Sequence, residues 1–194
     1  MTLDLSECDD RELASFAAAG QQQAHRELLR RYKTQIYRLV SNSIGDPDAA
    51  VDLVQETFVS AFAAIDRFDP DRPFRLWISR IALNKCRDWA RRRSVRSFFS
   101  FAHPIEMAEE YESDAPDPYQ EAEAKAELAR VEKAIAQLSH NLREVLVLRG
   151  IEELSQSEAA VTLGISEKAV ETRLYRARAQ LREMIAGTSE AQTD

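Results

Sequence analysis

One set of polar side chains has the types and the spacing of a nucleic-acid contact. The set recurs at intervals of four, three and four residues, which places it in a narrow stripe along a helix: Arg80, Asn84, Arg87 and Arg91. Arginine suits phosphate oxygens, and asparagine can hydrogen-bond a base edge. The stripe therefore predicts contact with a nucleic-acid strand.

A second polar set lies on the preceding predicted helix. Asp46 followed by Pro47 is an N-cap with proline at the first helical position, so a helix begins there. Apolar residues then recur at three and four residues, and Asp52, Gln55 and Glu56 fall on the opposite side. Taken alone, such a trio is typical of a solvated helix face. Asp52 and Glu56 lie one turn apart, but no second ligand pair accompanies them, so no metal site is predicted.

The strongest local pattern is a short helix, a turn and a longer helix. The sequence Ser155-Gln156-Ser157-Glu158 is a capping box, and Gly164 lies in a tight turn before a helix that begins at Glu167. This pattern is typical of a helix-turn-helix, with an ordinary helical hairpin as the alternative. The outer side of the second helix carries groups suited to base edges and phosphates: Lys168, Thr172, Tyr175 and Arg176. Arg173 and Arg178 fit equally well as phosphate contacts or as partners of Glu residues.

The charge of the chain is unevenly distributed. The 194 residues are 44% hydrophobic and carry a formal net charge of −7. Residues 67–96 contain ten Lys or Arg and three acids, whereas residues 97–124 contain eight acids and no Lys or Arg. A second basic cluster follows between Lys168 and Arg182. Two basic blocks around an acidic stretch predict two modules and a linker, although charge alone also fits solvated helix faces.

Composition argues against several other classes of protein. Cys8 and Cys86 are far apart and the three histidines are scattered, which suits neither a disulfide framework nor a zinc site. No Gly-rich phosphate loop, secretion signal or long apolar run is visible. We therefore expect a cytoplasmic protein without a cofactor, a catalytic site or membrane contact. Trp77 and Trp89 are predicted to serve the core.

Helical periodicity dominates the chain and predicts an all-α fold. Four helices are predicted to form one domain over residues 8–96, and the last of them runs from about Phe74 to Arg93. Residues 97–117 are predicted to be a linker. A second domain, over residues 118–186, is predicted to start with a helix at Asp117-Pro118. Its next helix is expected to be capped by Ser139 and to stop at Gly150.

These motifs, in this order, resemble the extracytoplasmic-function (ECF, group IV) sigma factors of the sigma-70 family. The resemblance covers most of residues 10–185 and rests on four stretches: Asp52–Phe58 (DLVQETF), Phe74–Asn84 (FRLWISRIALN), Asp88–Arg93 (DWARRR) and Leu138–Leu181, which includes RLYRAR at 173–178. It implies that residues 8–96 are sigma region 2, a helical bundle. It also implies that residues 118–186 are sigma region 4, a helix-turn-helix domain, and that an acidic linker joins the two.

The resemblance also implies roles for the polar sets. Asp52, Gln55 and Glu56 match the helix that docks on the β′ clamp helices of RNA polymerase. The α-helical stripe matches the −10 promoter contact, with Arg80, Asn84, Arg87 and Arg91 as candidates, and residues 68–73 match the loop that holds a flipped-out base. The −35 candidates are Lys168, Thr172, Arg173, Tyr175 and Arg176. Lys168-Ala169-Val170 stands where the family usually has G-T-V, and Glu171 stands where a basic residue is frequent. These two departures leave open which −35 DNA sequence the helix recognises.

The function implied is that of an RNA polymerase sigma factor. Its partners would be core RNA polymerase (β′ clamp helices and β flap), promoter DNA and an anti-sigma factor, membrane-anchored, in a stress response. The linker would lie in the template-strand and RNA channel. One alternative is a stand-alone helix-turn-helix regulator, which would bind duplex DNA without polymerase and with steep salt dependence. Another is a catalytic helical protein, for which the sequence lacks a convergent set of His, Cys and carboxylate groups.

Overall fold

The helices of the computed structural model lie within residues 5–99, 127–128, 130–131 and 133–190, which are the residues that the structure describes. In chain order they are α1 Asp10–Ala18, α2 Gln22–Ile44, α3 Pro47–Ala63, a 3-10 turn Ile65–Arg67, α4 Phe74–Phe99, α5 His140–Gly150, α6 Gln156–Leu163 and α7 Glu167–Glu190. Residues 133–137 are also helical. No strand occurs in the described ranges, and the predicted all-α class is confirmed.

Local capping explains where several of these helices begin. The Asp46 carboxylate accepts a hydrogen bond from the Ala49 amide at 3.0 Å, and Pro47 is the first residue of α3. Ser155 and Glu158 form the predicted capping box, in which each side chain accepts from the backbone amide of the other. Gly164 ends α6 at a φ of +67°, a conformation that other residues rarely adopt. These starts and turns were all predicted from the sequence.

The helices α1 to α4 pack around a common apolar centre. Helix α2 contacts α1, α3 and α4, and Leu28, Ile36 and Leu39 on it are fully buried. The rings of Phe68, Phe74 and Trp77 pack in tilted and edge-to-face contacts with centroids 5.2 to 5.4 Å apart, so the loop after the 3-10 turn is held against the start of α4.

The helices α5, α6 and α7 form the second group. Helix α5 packs mainly on α7, and Leu138, Leu142, Leu146 and Ala177 form a small apolar cluster between them. Residues 144–148 of α5 are all buried, because α2 and α6 contact this helix as well. Its buried run includes one acid, Glu144.

The two groups of helices are packed against each other. Helix α5 contacts α2, and α6 contacts α4. Buried residues of both groups, such as Leu83 on α4 and Leu163 on α6, belong to one continuous apolar cluster. The two groups therefore bury apolar surface against each other, and burial of apolar surface is the main force that holds such elements together.

Several helix details differ from the sequence predictions. Helix α4 continues to Phe99, beyond the predicted end near Arg93. Leu76 and Leu83 are buried as well, although they lie outside the apolar face that the spacing predicts for this helix, namely Phe74, Trp77, Ile78, Ile81, Ala82 and Trp89. The wider burial arises because α4 contacts α2, α3 and α6. Ser139 precedes α5, but its side chain makes no capping hydrogen bond.

Two more predictions concern an apolar residue of α3 and the linker between the two groups of helices. The apolar residues whose spacing predicts α3 include Val51, but Val51 is 48% exposed. Residues 100–126 lie outside the described residues. Most of the predicted linker 97–117 and the helix start predicted at Asp117 fall there. Within the part of the chain that is described, no helix is long and apolar enough to cross a membrane.

Candidate functional site

The first candidate surface, here called the α3 face, consists of Asp52, Gln55 and Glu56. All three side chains are exposed, because the neighbouring Leu53 and Val54 point into the core and fix the helix orientation. Glu56 Oε2 lies 3.7 Å from Lys85 Nζ on α4. The structure thus brings the three predicted residues together on one surface that is open to a partner.

Two exposed valines border the α3 face. Val51 is 48% exposed and Val59 is 68% exposed, and both lie on α3 within one turn of the polar trio. The face therefore combines carboxylates with apolar surface. That combination suits a protein partner better than the polyanionic backbone of DNA, which would be repelled by the acids.

The second candidate surface, here called the α4 stripe, is Arg80, Asn84, Arg87 and Arg91. Arg87 Nη1 donates to Asn84 Oδ1 at 2.8 Å, so two members of the stripe are directly joined. Arg91 pairs with Asp88 at 3.0 Å, and both side chains are mostly exposed. The structure places the stripe along one side of α4, as the spacing predicts.

Part of the α4 stripe is covered by the second group of helices. Arg87 Nη2 donates to Glu144 Oε2 at 2.8 Å, and Arg87 Nε lies 2.7 Å from Glu144 Oε1. The Arg80 guanidinium lies against Gly164, with Nη2 3.3 Å from the position that a Cβ would take there. Two of the four stripe residues therefore touch α5 or the turn after α6, a contact that the sequence did not predict.

Glu144 occupies an unusual environment for a carboxylate. The residue is 0% exposed, and His140 Nε2, one turn earlier on α5, lies 3.0 Å from its Oε1. Burial acts to raise the pKa of Glu144, but the contacts with His140 and Arg87 outweigh it, so that this pKa lies below the usual value. Burial and the nearby Glu144 carboxylate raise the pKa of the Cys86 thiol to about 12. The buried group at this position is therefore an ionised carboxylate beside a protonated thiol.

A pH dependence of stability follows from the lowered pKa of Glu144. A carboxyl whose pKa is lower in the folded chain stabilises it above the unfolded pKa, and this contribution is lost as pH falls through the folded value. We expect the free energy of unfolding to decrease as pH falls below 4.5, the ordinary value of this pKa. One group contributes at most about 1.4 kcal/mol per pH unit.

The measurement is urea unfolding of the intact chain and of Glu144→Gln at several pH values. Other carboxylates with lowered pKa, such as Glu27 and Glu158, keep part of the slope in the variant. The variant should nevertheless lose stability less steeply than the parent chain. Identical slopes would contradict an ionised Glu144 in the folded state.

The third candidate surface, here called the α7 face, is Lys168, Thr172, Tyr175 and Arg176. All four residues are exposed, and Tyr175 is 74% exposed. Val170 and Ala177 are fully buried on the opposite side, which holds the face outward. Lys168 Nζ pairs with Glu171 at 2.8 Å, and the Thr172 hydroxyl donates to the backbone of Lys168 at 2.9 Å. Tyr175 and Arg176 take part in neither of these contacts.

The alternatives for Arg173 and Arg178 can be compared with their surroundings. Arg173 is half-buried and Arg178 is exposed. Within the described ranges neither forms an ion pair with a Glu residue, since the pairs found on α7 join Lys168 and Glu171.

Sequence reasoning missed a set of polar contacts between the two groups of helices. Arg38 pairs with Glu152 at 3.0 Å, Arg75 pairs with Glu158, and Arg143 donates to the backbone oxygen of Ser43 at 2.9 Å. One signal was available: Glu144 is a single acid inside the apolar run of α5, and a buried acid requires a cationic partner. Its partner on α4 could not be named from the sequence. The described residues bring no three His, Cys, Asp or Glu side chains together as metal ligands.

Comparison with known families assigns both halves of the chain. Residues 28–96 match the family Sigma-70 region 2, and residues 128–181 match the family Sigma-70, region 4. The sigma factor CnrH of Cupriavidus metallidurans is 46% identical over 185 residues, which cover 93% of this chain and 96% of CnrH. The ECF sigma factor SigW of Bacillus subtilis is 32% identical, over 86% of this chain and 91% of SigW.

Solved structures give the same assignment. The structure of CnrH in complex with the cytosolic domain of CnrY matches with a TM-score of 0.68 and 39% identity, over 92% of this chain and 97% of CnrH. The sigma factor RpoE of Bartonella quintana, solved with the anti-sigma factor NepR, shares the fold with a TM-score of 0.67 at 24% identity, over 83% of this chain and 96% of RpoE. The match to both sigma regions, in order and over nearly the whole chain, makes this protein a member of the ECF group of the sigma-70 family of RNA polymerase sigma factors.

Proposed function

We propose that this sigma factor binds core RNA polymerase through the α3 face and directs it to promoters with the α4 stripe and the α7 face. The observation that carries the proposal is the exposed trio Asp52, Gln55 and Glu56 within the region 2 match. The trio stays outside the core although α3 is buried on its other side. An acidic, exposed and rigidly oriented helix face is suited to a basic partner surface, for which we propose the β′ clamp helices.

Promoter DNA is the second proposed partner. The α4 stripe supplies arginines for phosphates and Asn84 for a base edge of the −10 element. The α7 face supplies Lys168, Thr172, Tyr175 and Arg176 for the −35 element, with Arg173 as a phosphate contact. Each of these two DNA-binding surfaces is small. Their affinities combine, through effective concentration, only when polymerase fixes the spacing between them. The net charge of −7 fits a chain that binds DNA poorly without polymerase.

Control by another protein is the third element of the proposal. CnrH, which is similar over nearly its whole length, has been solved in complex with the cytosolic domain of CnrY. We propose an anti-sigma factor for this chain, anchored in the membrane and acting through a cytosolic domain, and a role in a stress response. Contact of the β flap with region 4 is proposed as well. The sigma factor itself would act in the cytoplasm, without cofactor and without covalent chemistry of its own.

In vitro transcription on fragmented genomic DNA of the source organism tests the proposal. The purified chain is added to core polymerase that lacks any sigma factor, and the 5′ ends of the RNA are sequenced. We expect discrete start sites that share an upstream motif in two parts. Core polymerase alone is the control for sigma-independent starts.

The opposite outcome would identify the stand-alone regulator. That protein would create no new start sites and would bind duplex DNA tightly in the absence of polymerase. Its affinity would fall steeply with salt, because binding would release counterions from the phosphates. Tight binding without new starts would overturn the sigma assignment of function.

A further inference from the structure

Among the residues that the structure describes, three ion pairs join the two groups of helices, and all three have the same polarity. The cation comes from the first group and the anion from the second in each pair: Arg38–Glu152, Arg75–Glu158 and Arg87–Glu144. The side chains of Glu144 and Glu152 are 1% and 2% exposed, whereas those of Arg87 and Arg38 are 35% and 56% exposed. Two of the three acids are therefore buried, while their arginine partners remain partly exposed.

The Glu144 pair is the most deeply buried of the three. Arg87 Nη2 donates a hydrogen bond to Glu144 Oε2 at 2.8 Å, and Arg87 Nε lies 2.7 Å from Glu144 Oε1. His140 Nε2 lies 3.0 Å from the same carboxylate. Arg87 is therefore the residue that ties Glu144 to the first group of helices, because His140 lies on α5 together with Glu144.

The contact uses a group that the proposed function needs elsewhere. Arg87 belongs to the α4 stripe, and in this arrangement its guanidinium is occupied by Glu144 and Asn84. Arg80 lies against Gly164 in the turn of the helix-turn-helix. A DNA strand along the α4 stripe would have to replace α5 and this turn, so the closed arrangement and strand binding exclude each other at Arg80 and Arg87.

The chemistry of the contact also allows it to open. A buried ion pair adds little net stability compared with apolar side chains of the same size, because both charges lose their hydration. When the helices separate, Arg87 and Glu144 both return to water and leave no unpaired buried charge. Apolar residues in these positions would gain no such hydration when the helices separate, so they would oppose opening.

We propose that Glu144 is a latch that closes the second group of helices over the α4 stripe by capturing Arg87. The inference rests on the proposed function, since it assigns a regulatory meaning to a proposed −10 contact. In the closed chain Arg80 and Arg87 are withheld from single-stranded DNA. DNA phosphate competes with Glu144 for the same guanidinium, so an opened chain exposes its −10 surface.

The distance between the two groups tests the latch. Spin labels on cysteines introduced at the exposed Gln23 on α2 and Gln180 on α7 report it by pulsed electron resonance, in a full chain with Cys8→Ser and Cys86→Ala. We expect one dominant distance in the parent chain. Glu144→Lys places a cation against Arg87 and should raise the ratio of open to closed chains by roughly 100-fold.

Two further variants make the test specific. Glu183→Lys changes the charge by the same amount at an exposed site on α7 and should leave the distance unchanged. Glu152→Lys acts on the separate pair with Arg38 and should also open the chain, which keeps the test decisive if Glu144→Lys does not fold. The double variant with Arg38→Glu and Glu152→Arg restores this ion pair with reversed charges and should close the chain again. A distance unaffected by both Glu144→Lys and Glu152→Lys, or a parent chain that is already open, would overturn the latch.

A DNA measurement separates the latch from the proposed function. Fluorescence anisotropy with a random-sequence single strand of about 20 nucleotides is recorded for Glu144→Lys and Glu183→Lys. We expect Glu144→Lys to bind at least about tenfold more tightly than its charge-matched control, and Arg87→Ala to remove this gain. A chain that opens without gaining DNA affinity would leave the latch in place and overturn the assignment of Arg87 to the −10 element.

Discussion

Reversing the charges of Asp52 and Glu56 together, by Asp52→Lys and Glu56→Lys, is expected to weaken binding to core RNA polymerase by roughly 30-fold or more. This is the effect of losing about 2 kcal/mol at a central contact. The two residues lie one turn apart on the exposed α3 face, so both would meet the same partner surface. Lysine at these positions would repel a basic surface instead of attracting it.

The fold should survive the change, because neither side chain takes part in the core. Glu56 does lie 3.7 Å from Lys85 Nζ, and this contact is lost. Exposed ion pairs contribute at most about 1 kcal/mol. The measurement is competition with a labelled parent chain for core polymerase, with thermal unfolding as the check of folding.

A matched control uses two acids elsewhere on the first group of helices. Glu7 and Asp66 are exposed and lie outside α3. Glu7→Lys with Asp66→Lys changes the net charge by the same four units and should leave polymerase affinity within about threefold, as expected of charges outside a contact. Equal losses for the two double variants would show a general charge effect and contradict the assigned face.

The second large effect is expected from Arg176→Ala. Arg176 is exposed on the α7 face, and its side chain makes no ion pair within the part of the chain that is described. A bidentate contact of arginine with guanine is worth about 1–3 kcal/mol. Initiation at promoters that depend on the −35 element should therefore fall roughly 5- to 150-fold. Binding to core polymerase should stay unchanged.

The measurement for Arg176 is transcription with saturating core polymerase on a promoter identified by the genomic experiment. Arg182→Ala removes an exposed arginine from the same helix at a position outside the α7 face. It should reduce initiation by a smaller factor, and the reduction should be similar on all promoters, as is typical of a phosphate contact. Normal initiation by Arg176→Ala would remove this residue from the −35 contact.

The helices and their faces were largely predictable from local chemistry. Asp46-Pro47 and the capping box at Ser155 each determine a helix start through contacts between residues at most four apart in the chain. Gly164 determines a turn through its own φ angle. The outward position of Asp52, Gln55 and Glu56 follows from the period of the apolar residues beside them. Predictions failed where a second helix lies close, as at Leu76 and Leu83 on α4.

The candidate sites divide in the same way. The α3 face and the α7 face lie where the periodicity predicts them, because each belongs to one helix with a single buried side. The α4 stripe was predicted as an open polar surface, but Arg87 and Arg80 contact the second group of helices. Their partners are distant in sequence, and the pattern along α4 contains no information about them.

The sequence by itself therefore determined the all-α fold, the family and the residues that each helix presents outward, because capping and periodicity act over a few residues. Only the tertiary structure decided that Glu144 meets Arg87, 57 residues away, and that the two groups of helices share one apolar cluster. The physical reason is that a buried carboxylate requires a cation, but several arginines could have supplied it. The packing of α5 and α6 on α2 and α4 selects Arg87 from among them.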